Sequence, residues 1–217
     1  MQTLAIESIS QHTLTGLELV GTAAFAFSGV LGAMRKNMDM VGICVCGFLA
    51  AFGGGTLRDI LLDRRPFFWV EHQAVLMGVF VLCIACASFL RPTHLERSQK
   101  WMQIPDAIGL GLFCTTGIHL SWSMEQPMVV AVMMGVITAT FGGVLRDIAC
   151  NEIPQLFNDH RPYAVCALLG GVVYAAWRMV ADDAGWPVLA CALVTIGLRV
   201  LSLWFDWRLP AVKRTAD

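Results

Sequence analysis

The chain has 217 residues, 57% of them hydrophobic and only 14% charged, against roughly 45–50% apolar and about 25% charged in soluble domains. That excludes an ordinary soluble domain and points to one compact membrane domain, because a span with its loop takes about 25–30 residues. With 15 Lys and Arg against 16 Asp and Glu, and no run of like charge, there is no basic face to hold a nucleic acid.

A bilayer core about 30 Å thick is crossed by about 20 apolar helical residues, somewhat fewer where end residues snorkel. Stretches free of ionisable residues run over 19–34, 40–57, 73–90, 107–124, 126–145, 162–177 and 184–198, the last continuing past Arg199 to 205. They are apolar on all sides, which suits helices and not the alternating strands of a membrane barrel. Residues 1–16 form an N-terminal extracytoplasmic segment. They hold no Lys or Arg, so the first span is not a cleavable signal. Segments on one side hold Arg35, Lys36, Arg91, Arg97, Lys100, Arg161, Arg208, Lys213 and Arg214, and those on the other only Arg64, Arg65 and Arg178. The positive-inside rule then puts the N-terminus outside and the C-terminus in the cytoplasm. The eight cysteines lie in or beside apolar runs and read as buried thiols. The Cys83–Cys86 spacing has no second pair to make a metal or redox site.

Shifting the chain by 88 positions aligns residues 18–66 with 106–154, without a gap and with fourteen identities. They include Gly21, Phe25 and Gly29 on Gly109, Phe113 and Gly117, and Gly54-Gly55 with Leu57-Arg58-Asp59-Ile60 on Gly142-Gly143 with Leu145-Arg146-Asp147-Ile148. A repeat of three spans returns the chain to the opposite face, so the second copy enters the membrane inverted. The expectation is an all-α membrane fold of seven transmembrane helices, as two inverted three-helix repeats (17–91 and 105–180) plus one extra helix. A cytoplasmic linker covers 92–104, the seventh span 184–206 and a cytoplasmic tail 207–217.

Gly53, Gly54 and Gly55 lie past the middle of the second span, and Gly142 and Gly143 at the equivalent place in the fifth. Such glycines permit an unwound turn lining a permeation path, or else close helix packing. Arg58-Asp59 and Arg146-Asp147 follow within a turn, where a charge costs about 2.5–3.5 kcal/mol on insertion scales unless paired or hydrated. Each Arg is expected to meet a partner on another helix or a carbonyl freed by the glycine break, and not its adjacent Asp, since neighbours point about 100° apart. The pairs serve either as helix-end clamps or as the charges of a polar pathway. Glu18 and Asp106 correspond across the repeat and read as carboxylates opening the first and fourth helices. His119 is a candidate polar lining residue, with no spacing for a metal site.

The doubled G-G-G-T-L-R-D at 53–59 and F-G-G-V-L-R-D at 141–147 resembles the bacterial glycine-transporter-domain membrane proteins, prokaryotic relatives of the trimeric intracellular cation channel (TRIC) family. The resemblance implies a homotrimer with a pore in each protomer and the second and fifth helices kinked at Gly53, Gly54, Gly55, Gly142 and Gly143, with Arg58, Asp59, Arg146 and Asp147 adjoining. The Lys-Glu-Val lipid motif of the animal channels is absent. The channel reading implies a potassium-type cation pore; the domain's name implies glycine carriage by the same residues. Neither calls for a cofactor beyond the permeant monovalent cation or glycine and a bound lipid. The partners are membrane lipid, further copies of the chain, and a small ion or zwitterion. No G-x-S-x-G or H-E-x-x-H occurs, so no enzyme of those classes is indicated.

Overall fold

The computed structural model describes residues 2–90, 99–180 and 185–208. Most of the expected linker 92–104, the start of the seventh span at Ala184 and most of the tail 207–217 lie outside the described residues. Among those described, all regular structure is helical: α1 (Gln2–Arg35), α2 (Met40–Leu61), α3 (Phe68–Glu71), α4 (Gln73–Phe89), α5 (Gln99–Ser123), α6 (Met128–Ala149), α7 (Gln155–Asn158), α8 (Ala164–Val180) and α9 (Gly185–Trp204). Seven of them coincide with the seven apolar stretches. Four segments, Thr13–Arg35, Met40–Leu61, Met128–Ala149 and Gly185–Trp204, are long and apolar enough to cross a membrane. Two boundaries differ from expectation. Helix α1 begins at Gln2, inside the segment assigned to 1–16, and α5 begins at Gln99, inside the linker.

The 88-residue equivalence extends to how helices end. Asn37 and Glu125 take φ of 53° and 60° after α1 and α5, and Asp63 and Asn151 take 52° and 53° after α2 and α6. In each case the next residue's N–H reaches back five positions: Met38 to the Ala33 carbonyl and Gln126 to Ser121, Arg64 to Asp59 and Glu152 to Asp147. This Schellman-type closure satisfies the carbonyls that a helix end leaves free. Helix α2 starts on Asp39, whose Oδ1 accepts the Gly42 N–H at 2.8 Å.

Helices α1, α2, α5 and α6 pack together as the core, with α4 against α1 and α2, α8 against α5 and α6, and α9 against α5 and α8. One buried cluster gathers Phe25, Leu110, Phe113, Ile118, Tyr163 and Tyr174; another gathers Val30, Ile43, Phe52, Phe68 and Val79. Apolar side chains such as Val41, Met77, Val81, Val129 and Leu193 point outward, as expected of a surface meeting lipid or another subunit. All eight cysteines are free thiols. Cys44 and Cys86 are half-buried and the other six buried.

Candidate functional site

Arg58 and Arg146 sit in the last turns of α2 and α6, each with 1% of its side chain exposed. Each is the centre of an ion cluster built by the same rule. Arg58 donates from Nη1 to Glu18 Oε1 at 2.8 Å and from Nε to Asp59 Oδ1 at 2.9 Å. Arg146 donates from Nη1 to Asp106 Oδ1 at 2.5 Å and from Nε to Asp147 Oδ1 at 2.9 Å. The second oxygens of the two Asp residues fasten the short helices: Asp59 Oδ2 accepts the N–H of Phe68 and Asp147 Oδ2 that of Gln155, the first residues of α3 and α7. The repeated Arg-Asp thus ties the first helix of its repeat to the short helix that follows.

Two expectations are corrected here. Arg58 and Arg146 do engage their adjacent Asp, because Nε lies beside the backbone and serves the neighbour while the extended Nη1 serves the other helix. Glu18 and Asp106 do not open helices. Glu18 lies mid-way along α1 and Asp106 in the second turn of α5; they are counter-ions of buried guanidiniums, which explains how those charges are tolerated.

The clusters differ in charge and burial. Around Arg58, Glu18 keeps 14% of its side chain exposed, and Arg64 Nη1 approaches Asp59 Oδ1 at 3.8 Å, so two cations meet two carboxylates. Around Arg146, Asp106 and Asp147 are 1% and 4% exposed, and one cation meets two carboxylates. The Tyr163 hydroxyl sits beside the Asp106 carboxylate. The Ser28 hydroxyl contacts both Arg146 Nη1 and Asp106 Oδ1. We expect Asp106→Asn to cost about 3 kcal/mol or more and Glu18→Gln markedly less, because both guanidiniums are buried but Glu18 keeps 14% of its side chain exposed, so water reaches the Arg58 pair and not the Arg146 pair; thermal unfolding in detergent compares them.

Two open cavities flank the clusters. One of about 750 Å³ is lined by Glu18, Arg64, His72, Thr116, His119 and Arg178, among others. The other, about 450 Å³, is lined by Arg35, Gln103, Gln155, Asp159, Arg161 and Arg208, among others. They are about 25 Å apart along α1, since Glu18, mid-way along the helix, lines the first and Arg35, its last residue, the second, 17 residues on. His119 Nδ1 meets the Tyr174 hydroxyl at 2.9 Å at the edge of the larger cavity. At the rim of the smaller one, beyond the end of α9, hydrogen bonds from Arg161 and Arg208 hold the Asp206 carboxyl below its usual range.

Within the sequence, residues 15–91 and 103–179 each match the model of a family described as Glycine transporter. The chain belongs to this family. Curated relatives include the UPF0126 inner membrane protein YadS of Escherichia coli (strain K12), 36% identical over 89% of this chain and 93% of its own length, and the UPF0126 membrane protein YvgT of Bacillus subtilis (strain 168), 32% identical over 89% and 94%. Among solved structures, a TRIC cation channel superposes with TM-score 0.82 at 33% identity, over 93% of this chain and 98% of its own. A TRIC trimeric intracellular cation channel orthologue from Rhodobacter sphaeroides superposes with TM-score 0.81 at 31% identity, over 90% and 99%. The chain is a membrane protein with the TRIC channel fold.

In this glycine-transporter-family chain the expected helix break is not found. Helices α2 and α6 run uninterrupted through Gly53, Gly54, Gly55, Gly142 and Gly143. The glycines instead let the two helices touch. A Cβ at Gly54 would collide with the Thr138 carbonyl oxygen of α6, and one at Gly142 with the Ala50 carbonyl oxygen of α2. Close approach offsets the roughly 1 kcal/mol of helix propensity that a glycine forfeits. Sequence reasoning missed Ser28 and Tyr163 around Arg146, and also Arg199, wholly buried, which bonds Asp159 Oδ2 and the Pro162 carbonyl and lies over the Tyr163 ring at 4.8 Å. For Ser28 the signal was available: it is the repeat equivalent of Thr116, which lines the other cavity.

Proposed function

We propose that this chain is a homotrimeric inner-membrane cation channel, potassium-type in its permeant ion, with a pore in each protomer. Helices α1, α2, α4, α5, α6, α8 and α9 cross the bilayer as two inverted three-helix repeats plus one, with the N-terminus outside and the C-terminus cytoplasmic. The path runs between α1, α2, α5 and α6, and its gate lies where α2 and α6 cross at their glycines.

The observation that carries the reading is the charge of the Arg146 cluster. One guanidinium faces two buried carboxylates, Asp106 and Asp147. A buried net negative charge next to a water-accessible cavity attracts a cation and repels an anion. The likeness to TRIC cation channels over more than nine-tenths of the chain supports the same reading, and the words trimeric intracellular cation channel used of one of them support the trimer. The excess of Lys and Arg on the Arg35 side supports the orientation. A carrier of a zwitterion needs a broken helix end or a free guanidinium to receive the carboxylate. Here α2 and α6 are unbroken, and Arg58 and Arg146 already hold carboxylates.

The test is purified protein in planar bilayers and liposomes, with potassium current and radiolabelled glycine uptake compared in one preparation. Unitary potassium currents without saturable glycine uptake are expected. Saturable uptake without unitary currents would overturn the channel and make the same residues a carrier site.

A further inference from the structure

The duplication places two phenylalanines face to face. Phe25 of α1 and Phe113 of α5 are equivalent across the 88-residue shift, 1% and 5% exposed, with ring centroids 5.3 Å apart. Each ring occupies the space left by the other repeat's glycine. A Cβ at Gly21 would lie 2.9 Å from the Phe113 ring, and one at Gly109 2.7 Å from the Phe25 ring. Gly21 and Gly109 are themselves equivalent. The pair therefore marks the axis relating the repeats.

The residues before and after each ring follow one order. Glu18, Phe25 and Ser28 are spaced seven and three apart on α1, as are Asp106, Phe113 and Thr116 on α5. Those spacings keep all three on one helix face. Each helix thus carries a stripe of carboxylate, phenyl ring and hydroxyl, and the stripes run in opposite directions. At one end Glu18 and Thr116 both line the 750 Å³ cavity. At the other, Ser28 Oγ bonds Asp106 Oδ1 at 3.4 Å, within the Arg146 cluster. The two polar ends are about 15 Å apart along α1, and the rings lie between them. A separate small void of about 10 Å³ lies beside Phe113, between Glu18, Phe52, Gly55, Arg58 and Trp69, room for about one water.

We propose that Phe25 and Phe113 form the hydrophobic barrier of the permeation path, a symmetric ring pair that an ion passes only when the rings separate. The proposal rests on the cation-channel reading above and goes beyond it by naming the constriction. A dry ring pair of this size blocks an ion because the hydration shell has no polar substitute there; widening or wetting it removes the block.

The experiment is potassium flux into liposomes for the wild type, Phe113→Ser and Phe113→Leu, with folded protein verified by size-exclusion elution and thermal unfolding. Serine both widens and wets the constriction and is expected to raise flux about tenfold, and to admit N-methyl-D-glucamine. Leucine, smaller but still dry, is expected to raise flux much less. Phe25→Ser on the partner ring provides the same reading if Phe113→Ser does not fold. A folded serine variant with flux equal to that of a conducting wild type, or equal to that of the leucine variant, overturns the barrier while leaving the channel. Absence of potassium flux in the wild type and all folded variants overturns the channel itself, and the barrier with it. Flux in the serine variant from a silent wild type supports both.

Discussion

Gly54→Ala is expected to destabilise the protein by about 3 kcal/mol or more, Gly143→Ala to leave it folded with reduced flux, and Gly55→Ala to leave it as stable as the wild type or more so. One methyl group separates these outcomes, and the reason is what it meets. At Gly54 it meets a backbone carbonyl, that of Thr138 on the facing helix, and a main-chain atom yields only if α2 and α6 separate, at the upper end of the range for overpacked cores or beyond. At Gly143 it meets the Tyr163 hydroxyl at 2.9 Å, with Asp106 Oδ1 at 3.6 Å and Arg146 Nη2 at 3.7 Å. These are side-chain ends that can shift, and their shift disturbs the ion cluster more than the fold. At Gly55 the nearest atoms are the Phe113 ring at 3.7 Å and Arg58 Nη2 at 3.9 Å, ordinary contact, so the roughly 1 kcal/mol gain in helix propensity is free to appear. Thermal unfolding in detergent and potassium flux in liposomes, measured on all three, check the ranking. Loss of flux in a stable Gly55→Ala protein would return these glycines to the hinge role that the sequence suggests. Equal stability of Gly54→Ala and the wild type would dismiss the packing role.

The glycines also show where sequence reasoning reaches its limit. A helix break and a close helix crossing leave the same signature, small residues in an apolar run, and only the identity of the facing backbone distinguishes them. Residues Thr138 and Ala50 carry no mark that their carbonyls face Gly54 and Gly142. The duplication was fully legible, because fourteen identities in register survive any uncertainty about individual helices. It carried with it the pairing of Glu18 with Asp106 and of Arg58 with Arg146. The seven apolar stretches were legible for the same reason that lipid demands them. Helices α3 and α7, four residues each, were not, since little more than one turn is too short for a periodic pattern to repeat. Nor was the bond from Arg58 to its own neighbour Asp59. A directional argument about Cβ positions does not capture a side chain whose Nε and Nη1 donate to different partners. Arg199 interrupts the seventh apolar stretch, and a charge inside a span signals a partner within the protein; that the partner is Asp159 of the second repeat is visible only in the structure.

Arg146→Ala is expected to cost 3–5 kcal/mol, on the order found when one partner of a buried ion pair is removed, because it strands Asp106 and Asp147, 1% and 4% exposed, without their cation. Arg146→Lys should fall between this and the wild type. A single ammonium cannot reproduce Nε donating to Asp147 while Nη1 donates to Asp106 and Ser28. The informative variant is the double replacement Arg146→Leu with Asp106→Leu. Removing Asp106 together with Arg146 leaves one stranded carboxylate, Asp147, in place of two, so the double variant is expected to be more stable than Arg146→Leu alone by about 1–3 kcal/mol; with Asp106→Leu as the second single variant, a double-mutant cycle extracts the coupling. Asp147 remains in it, still accepting the Gln155 N–H at 2.8 Å. If the cluster only clamps helices, recovered stability brings recovered potassium flux. If the Asp106 carboxylate itself draws the ion, the double variant is folded and silent, because no carboxylate from α5 is left at the inner end of the ring pair, although Asp147 keeps the site at one net negative charge. A path that runs past Asp106 requires the second result; a stable double variant conducting like the wild type would remove Asp106 and Arg146 from the path, leave Asp147 as the only carboxylate of the cluster able to draw the ion, and reduce the Arg146–Asp106 pair to a fastening between α6 and α5.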